Sequence, residues 1–178
     1  MNQRKRTRLP ASVTALVAAA LCLTAPQAVA VSEGAATASA VADCRDTCVL
    51  GVRAATHPRY DRFVIDLGAG KLPRWTTSLQ KGGRLTMGEG AAMPVKGDEY
   101  LKITLHRATG FDFAGGTPVY RSPRHQTYDF PSLKGQGQFQ YADASAREFH
   151  MGLALGKYSS YRLFALTAPN RVVVDVHH

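Results

Sequence analysis

Downstream of Cys44 the apolar residues of this chain recur at every second position, a spacing that puts them on one side of an extended strand and on no single face of a helix. "YLKITLHR" carries Leu101, Ile103 and Leu105 on one side and Lys102, Thr104 and His106 on the other. "EFHMGLAL" repeats the pattern with Phe149, Met151, Leu153 and Leu155, and "SYRLFALT" sets Tyr161, Leu163 and Ala165 against Arg162, Phe164 and Leu166. The short, turn-rich "GKYSS" between those last two segments predicts that they form a hairpin. Glycine and proline punctuate the rest, in "GAGKLP", "KGGR", "GEGAAMP", "AGGTP" and "LKGQG". No stretch offers an amphipathic helix of three turns. The expectation is an all-β domain of roughly eight to ten short strands folded as a β-sandwich of two sheets.

Two segments depart from simple alternation in the same way. "RFVIDL" (Arg62 to Leu67) and "RVVVDV" (Arg171 to Val176) both read Arg, apolar, Val, apolar, Asp, aliphatic, the signature of strands buried on both faces except at their polar ends. On such a strand Arg62, Val64 and Asp66 point one way, and Phe63, Ile65 and Leu67 the other. If the two pair antiparallel with Val64 opposite Val173, Arg62 faces Asp175 and Asp66 faces Arg171. These four charged residues are therefore read as structural cross-strand partners and not as a glycosidase acid and base.

The start of the chain has a different composition. Arg4, Lys5, Arg6 and Arg8 precede an apolar run from Ala11 to Thr24 that is short for a membrane span, and "AVA" ends at Ala30. Residues 1–30 are expected to be a secretory signal peptide, with a second small-residue cut site after Ala40 and no transmembrane anchor once it is removed. Cleavage after Ala30 removes four of 22 basic residues and none of the 13 acidic ones, so the formal charge falls from +9 to +5. A charge of that size suits loose association with anionic polymers. Residues 31–43 are small and polar and are expected to be a disordered linker, leaving 44–178 as one domain. In an oxidising compartment Cys44 and Cys48 are expected to form a disulfide.

Signatures of catalysis are missing from the sequence. There is no G-x-S-x-G elbow, no phosphate-cradling glycine loop and no H-E-x-x-H. The six histidines are scattered without ligand spacing, so no metal and no cofactor is expected. The basic residues do not cluster as a nucleic-acid partner would require. The stretch from Phe111 to Tyr141 mixes aromatics, glycines, prolines and basic residues without alternation, and is expected to be a long loop or excursion.

"HPRYDRFVIDLGAG", "VKGDEYLKITL" and "EFHMGLALGKYSSYRLFALTAPNRVVVDVHH" together resemble the AMIN-like domain of secreted bacterial proteins, a relative of the AMIN module of N-acetylmuramoyl-L-alanine amidases. The resemblance implies a two-sheet, non-catalytic module that is secreted, stays extracellular or wall-associated, and binds peptidoglycan or another anionic wall polymer. Glycans are gripped by aromatic platforms and their carboxylates by cations. Three aromatic–cation sets fit that chemistry: Tyr60 with Arg59, Trp75 with Arg74, and Tyr120 with Arg121 and Arg124. The competing reading of each is a half-buried aromatic beside a solvated charge. The alternative function is an extracellular, inhibitor-like β-domain that contacts another secreted protein through residues 111–141.

Overall fold

The computed structural model describes residues 42–87, 90–139 and 147–178, so the signal peptide and nearly all of the linker read from the sequence lie outside the described residues. Two five-stranded sheets make the body of the fold. The first runs in the order β13 (Ser160–Leu166), β14 (Arg171–His177), β2 (Tyr60–Leu67), β1 (Thr47–His57) and β7 (Ala108–Thr109). In the second the order is β10 (His125–Thr127), β11 (Leu133–Phe139), β12 (Glu148–Leu155), β6 (Glu99–His106) and β3 (Arg74–Lys81). Two short ribbons, β4 (Thr86–Met87) with β5 (Ala91–Ala92) and β8 (Phe111–Asp112) with β9 (Thr117–Pro118), lie outside these sheets.

The period-two pattern explains the core. Phe63, Ile65, Leu67, Val172, Val174 and Val176 of the first sheet meet Leu101, Ile103, Leu105, Phe149, Met151, Leu153 and Leu155 of the second in one buried cluster. Each such side chain contributes roughly 1.5–3 kcal/mol when fully buried. The two hexapeptides are neighbours in one sheet, with Val64 opposite Val173, Arg62 opposite Asp175 and Asp66 opposite Arg171, the register that the spacing predicts.

Two expectations need correction. Although "GKYSS" suggests a hairpin, β12 pairs with β6 and β11 while β13 pairs with β14, so the connection carries the chain from one sheet to the other. Both flanking strands keep their apolar side toward the same core either way, which is why alternation could not distinguish the two. Secondly, residues 111–141 are not one loop, because β10 and β11 pair with each other and β11 is an interior strand beside β12. A strand that the sequence reading did not identify is "TCVLGVRAATH", the long β1, which forms a tight hairpin with β2 through Pro58 and Arg59. Its alanines and glycine hide it from a hydrophobicity reading.

β11 escaped detection for a physical reason. Gly135, Gly137, Gly152 and Ala154 occupy facing positions on the outer side of β11 and β12. They form a floor for Leu85, Met93 and Val95 of the segment between β3 and β6, which closes over it with Tyr100 and Phe139 into a second small core. A Cβ on Gly152 would stand 2.7 Å from Leu85 Cδ2 and 3.1 Å from Met93 Sδ. Glycine is required there by close approach and not by backbone angle.

A buried carboxylate joins the sheets. Asp61 of β2 is fully buried; its Oδ2 accepts from the Ser132 and Leu133 backbone N–H groups at 2.7 and 2.9 Å, and its Oδ1 accepts from Thr56 Oγ1 at 2.7 Å. Three donors to one carboxylate satisfy the burial that would otherwise be costly.

Cys44 and Cys48 are bonded, and the loop they close presents Asp46. That carboxylate accepts from Arg107 at 2.5 Å and from Arg147 at 2.6 Å, two residues held at φ 56° and 45° beside strand ends. The pair of bonds fixes a left-handed backbone that non-glycine residues rarely adopt.

Candidate functional site

The outer face of the first sheet is a grid set by register. One row across β1, β2, β14 and β13 reads Arg53, Val64, Val173, Phe164, and the next reads Ala55, Arg62, Asp175, Arg162. Gly51, Asp66, Arg171 and Leu166 flank these rows on one side, and His57, Tyr60, His177 and Ser160 on the other. Four arginines, Arg53, Arg62, Arg162 and Arg171, thus share one sheet face with Tyr60 and Phe164.

Their partners differ in kind. Arg62 donates from Nε and Nη2 to Asp175, both at 2.7 Å, and that carboxylate pushes the guanidinium further up from its already high range. Asp66 does not engage Arg171, the residue opposite it; it accepts instead from Arg53 at 3.0 and 3.1 Å. Arg171 donates to the Pro169 carbonyl at 3.2 Å. Among the described residues Arg162 and Arg171 reach no carboxylate.

Rings and cations interleave on this face. The Arg62 guanidinium lies 5.0 Å from the Tyr60 ring centre and 5.9 Å from that of Phe164, and Arg162 sits 5.3 Å from Phe164. His57 stacks on Tyr60 at 4.6 Å, and His177 is tilted against the same ring at 5.7 Å. Val64 and Val173 are 4% and 1% exposed although they face outward, which places the long stems around them over the sheet. A shallow depression between β1 and β2 is lined by Arg53, Ala55, His57, Arg62 and Val64.

The three aromatic–cation sets read from the sequence are not brought together. Among the described residues no hydrogen bond or ring contact links one set to another. Tyr60 belongs to the grid just described, and Arg59 lies beside it in the β1–β2 turn, its carbonyl accepting from the His178 N–H at 3.3 Å. Trp75 is half-buried on β3 and packs against the main core, with Arg74 exposed beside it. Tyr120 packs against the same core and against Phe149, with ring centres 5.4 Å apart, and burial pushes its phenol up. Arg121 and Arg124 are exposed on the segment that follows, where the Arg121 N–H donates to the Leu50 carbonyl and the Arg124 carbonyl accepts from Gln138 N–H. For Trp75 and Tyr120, packing accounts for the ring. Arg53, Arg162, Phe164, His57 and His177, which share the grid with Tyr60, are not among the binding candidates read from the sequence. The outward side of "SYRLFALT" already carries Arg162 and Phe164, whereas Arg53 sits on the strand that the composition conceals.

The second sheet's outer face offers different chemistry. His106 Nδ1 lies 2.7 Å from Glu148 Oε1 and His106 Nε2 3.1 Å from Thr76 Oγ1. His150 Nε2 lies 3.3 Å from Glu148 Oε2, and its Nδ1 3.0 Å from Thr104 Oγ1. Burial, reinforced by the Lys102 charge and opposed by Glu148, lowers the His150 pKa to about 4. His150 is therefore neutral at physiological pH, with its Nε2–H donating to Glu148 and its Nδ1 accepting from Thr104. Among the described residues no group of three or more histidine, cysteine or acidic side chains is arranged to hold a metal ion, and no helix is long and apolar enough to cross a membrane.

The family model of the AMIN-like domain matches residues 47–178. No curated protein matches the chain.

Proposed function

For a chain that belongs to the AMIN-like family, we propose a secreted, non-catalytic role: binding peptidoglycan or another anionic wall polymer through the outer face of the first sheet. Family membership supports peptidoglycan association in general. The observation that carries the finer reading is the grid of four arginines interleaved with Tyr60 and Phe164 across β1, β2, β14 and β13. Sugar rings present apolar faces that stack on such aromatics, and stem-peptide carboxylates accept hydrogen bonds from guanidinium groups. Arg53 and Arg62 are neutralised by Asp66 and Asp175, which leaves Arg162 and Arg171 to supply the net positive charge. The alternative contact, residues 111–141, is weakened by its use in β10, β11 and core packing.

Co-sedimentation with insoluble peptidoglycan over a range of salt tests the reading. Expected is a pelleted fraction that fades as salt screens the contact, and that drops further when Arg162 and Arg171 are both replaced by glutamate. Protein that stays in the supernatant at every ionic strength overturns it.

A further inference from the structure

The edge strand β3 (Arg74–Lys81) is largely exposed and, among the described residues, has no strand paired along its free edge. Its register against β6 runs unbroken from Arg74 opposite His106 to Lys81 opposite Glu99, with no bulge and no proline. Thr77 and Leu79 stand opposite Ile103 and Leu101, which puts them on the core side of the sheet, yet both are exposed and Leu79 is 36% accessible. The second sheet therefore overhangs the first along β3. Natural proteins blunt long edges with bulges, prolines or inward charges. Here only Arg74 and Lys81 at the two ends serve that purpose, and β3 carries no carboxylate.

We propose that β3 is a docking edge for an extended segment of a partner protein, which adds as a further strand to the second sheet. Backbone groups on the open edge supply the hydrogen bonds, and alternate side chains supply selectivity. The partner strand carries apolar residues where it faces Trp75, Thr77 and Leu79, and an acidic residue opposite each of Arg74 and Lys81. A second copy of this chain fits poorly, because antiparallel pairing of β3 with itself sets Arg74 against Lys81, two like charges directly opposite. A short stem peptide does not span eight residues.

Trp75, the chain's one tryptophan, sits on this strand and reports its own covering. The protein is titrated with the synthetic peptide Glu-Thr-Val-Thr-Val-Thr-Val-Glu and with the same peptide ending in lysine at both termini, while tryptophan emission is followed. Expected is a saturable blue shift with the acidic peptide at a concentration about tenfold lower than with the basic one. Replacing both Arg74 and Lys81 by glutamate inverts that preference, and Leu79→Lys abolishes the response to both peptides without loss of the folded circular dichroism signal. Four results overturn the proposal: no shift up to millimolar peptide, equal response to the two peptides, the same shift with soluble peptidoglycan fragments, or a protein whose sedimentation shows a dimer that Leu79→Lys converts to monomer.

Discussion

The outer faces of the two sheets solve the same problem in opposite ways. Every two-sheet fold has outward sides that need no partner. On the first sheet that side carries arginines and aromatic rings around Val64 and Val173, which are buried although they face outward. On the second, small residues on β11 and β12 make a floor, and Leu85, Met93 and Val95 cover it. One face presents charge and aromatic surface to solvent, and the other is partly covered by a second core. The open face is the one for which polymer binding is proposed, while the covered face contributes stability.

That contrast is sharpest in mutations of opposite faces. Leu85→Ala opens a cavity over the glycine floor and is expected to cost about 2–4 kcal/mol in a urea melt. Arg53→Ala, on the open face and exposed, is expected to change stability by less than about 0.5 kcal/mol. Equal costs would dissolve the distinction between a covered face and a presented one.

Acid tests the same contrast. The His150 pKa is lowered from 6.5 to about 4 in the fold, so the unfolded chain takes up a proton at a higher pH than the folded one. Stability contributed by neutral His150 is complete above about pH 6.5 and is lost as pH falls from there toward 4, to a total on the order of 3 kcal/mol. Melting curves of the protein and of His150→Gln should diverge in slope over that interval. Parallel curves would show that burial of this imidazole is not what couples the second face to pH.

Within the first face the two aspartates should rank by burial. Asp175, with an 11% exposed side chain and two bonds from Arg62, is expected to cost about 1–2 kcal/mol when changed to alanine. Asp66, 35% exposed and tied to the still more exposed Arg53, is expected to cost at most about 0.5 kcal/mol. Urea melts of the two variants decide the order, and Asp66→Ala proving the costlier would reverse it.

How much of this could be read from residues alone follows from what each strand packs against. β6, β12 and β13 alternate cleanly because one side of each faces the large core, and β2 and β14 announced even their mutual register through matched arginine and aspartate ends. β1 and β11 were illegible because alanine and glycine fill positions whose size is dictated by neighbours distant in sequence, such as Ser122 beside Gly51 and Val95 beside Gly135. Asp61 gave no signal either: its donors on β11 and the residue before it lie far along the chain. Of the outer-face grid, the sequence offered Tyr60 as a binding candidate and Arg62 and Asp175 as structural partners; assembling it required knowing that β1 and β13 flank the central pair. Trp75 and Tyr120 pack partly against the core, and an aromatic beside an arginine looks the same in sequence whether its ring faces solvent or core.

The central claim is that the open face, and not the covered one, meets the wall polymer. Amide chemical-shift mapping during titration with soluble peptidoglycan fragments tests it directly. The account predicts shifts concentrated on β2, β13 and β14 around Arg62, Arg162, Phe164 and Arg171, with His106, Glu148 and the segment over the second sheet undisturbed. Shifts centred on that second face, or none at saturating fragment, would contradict it.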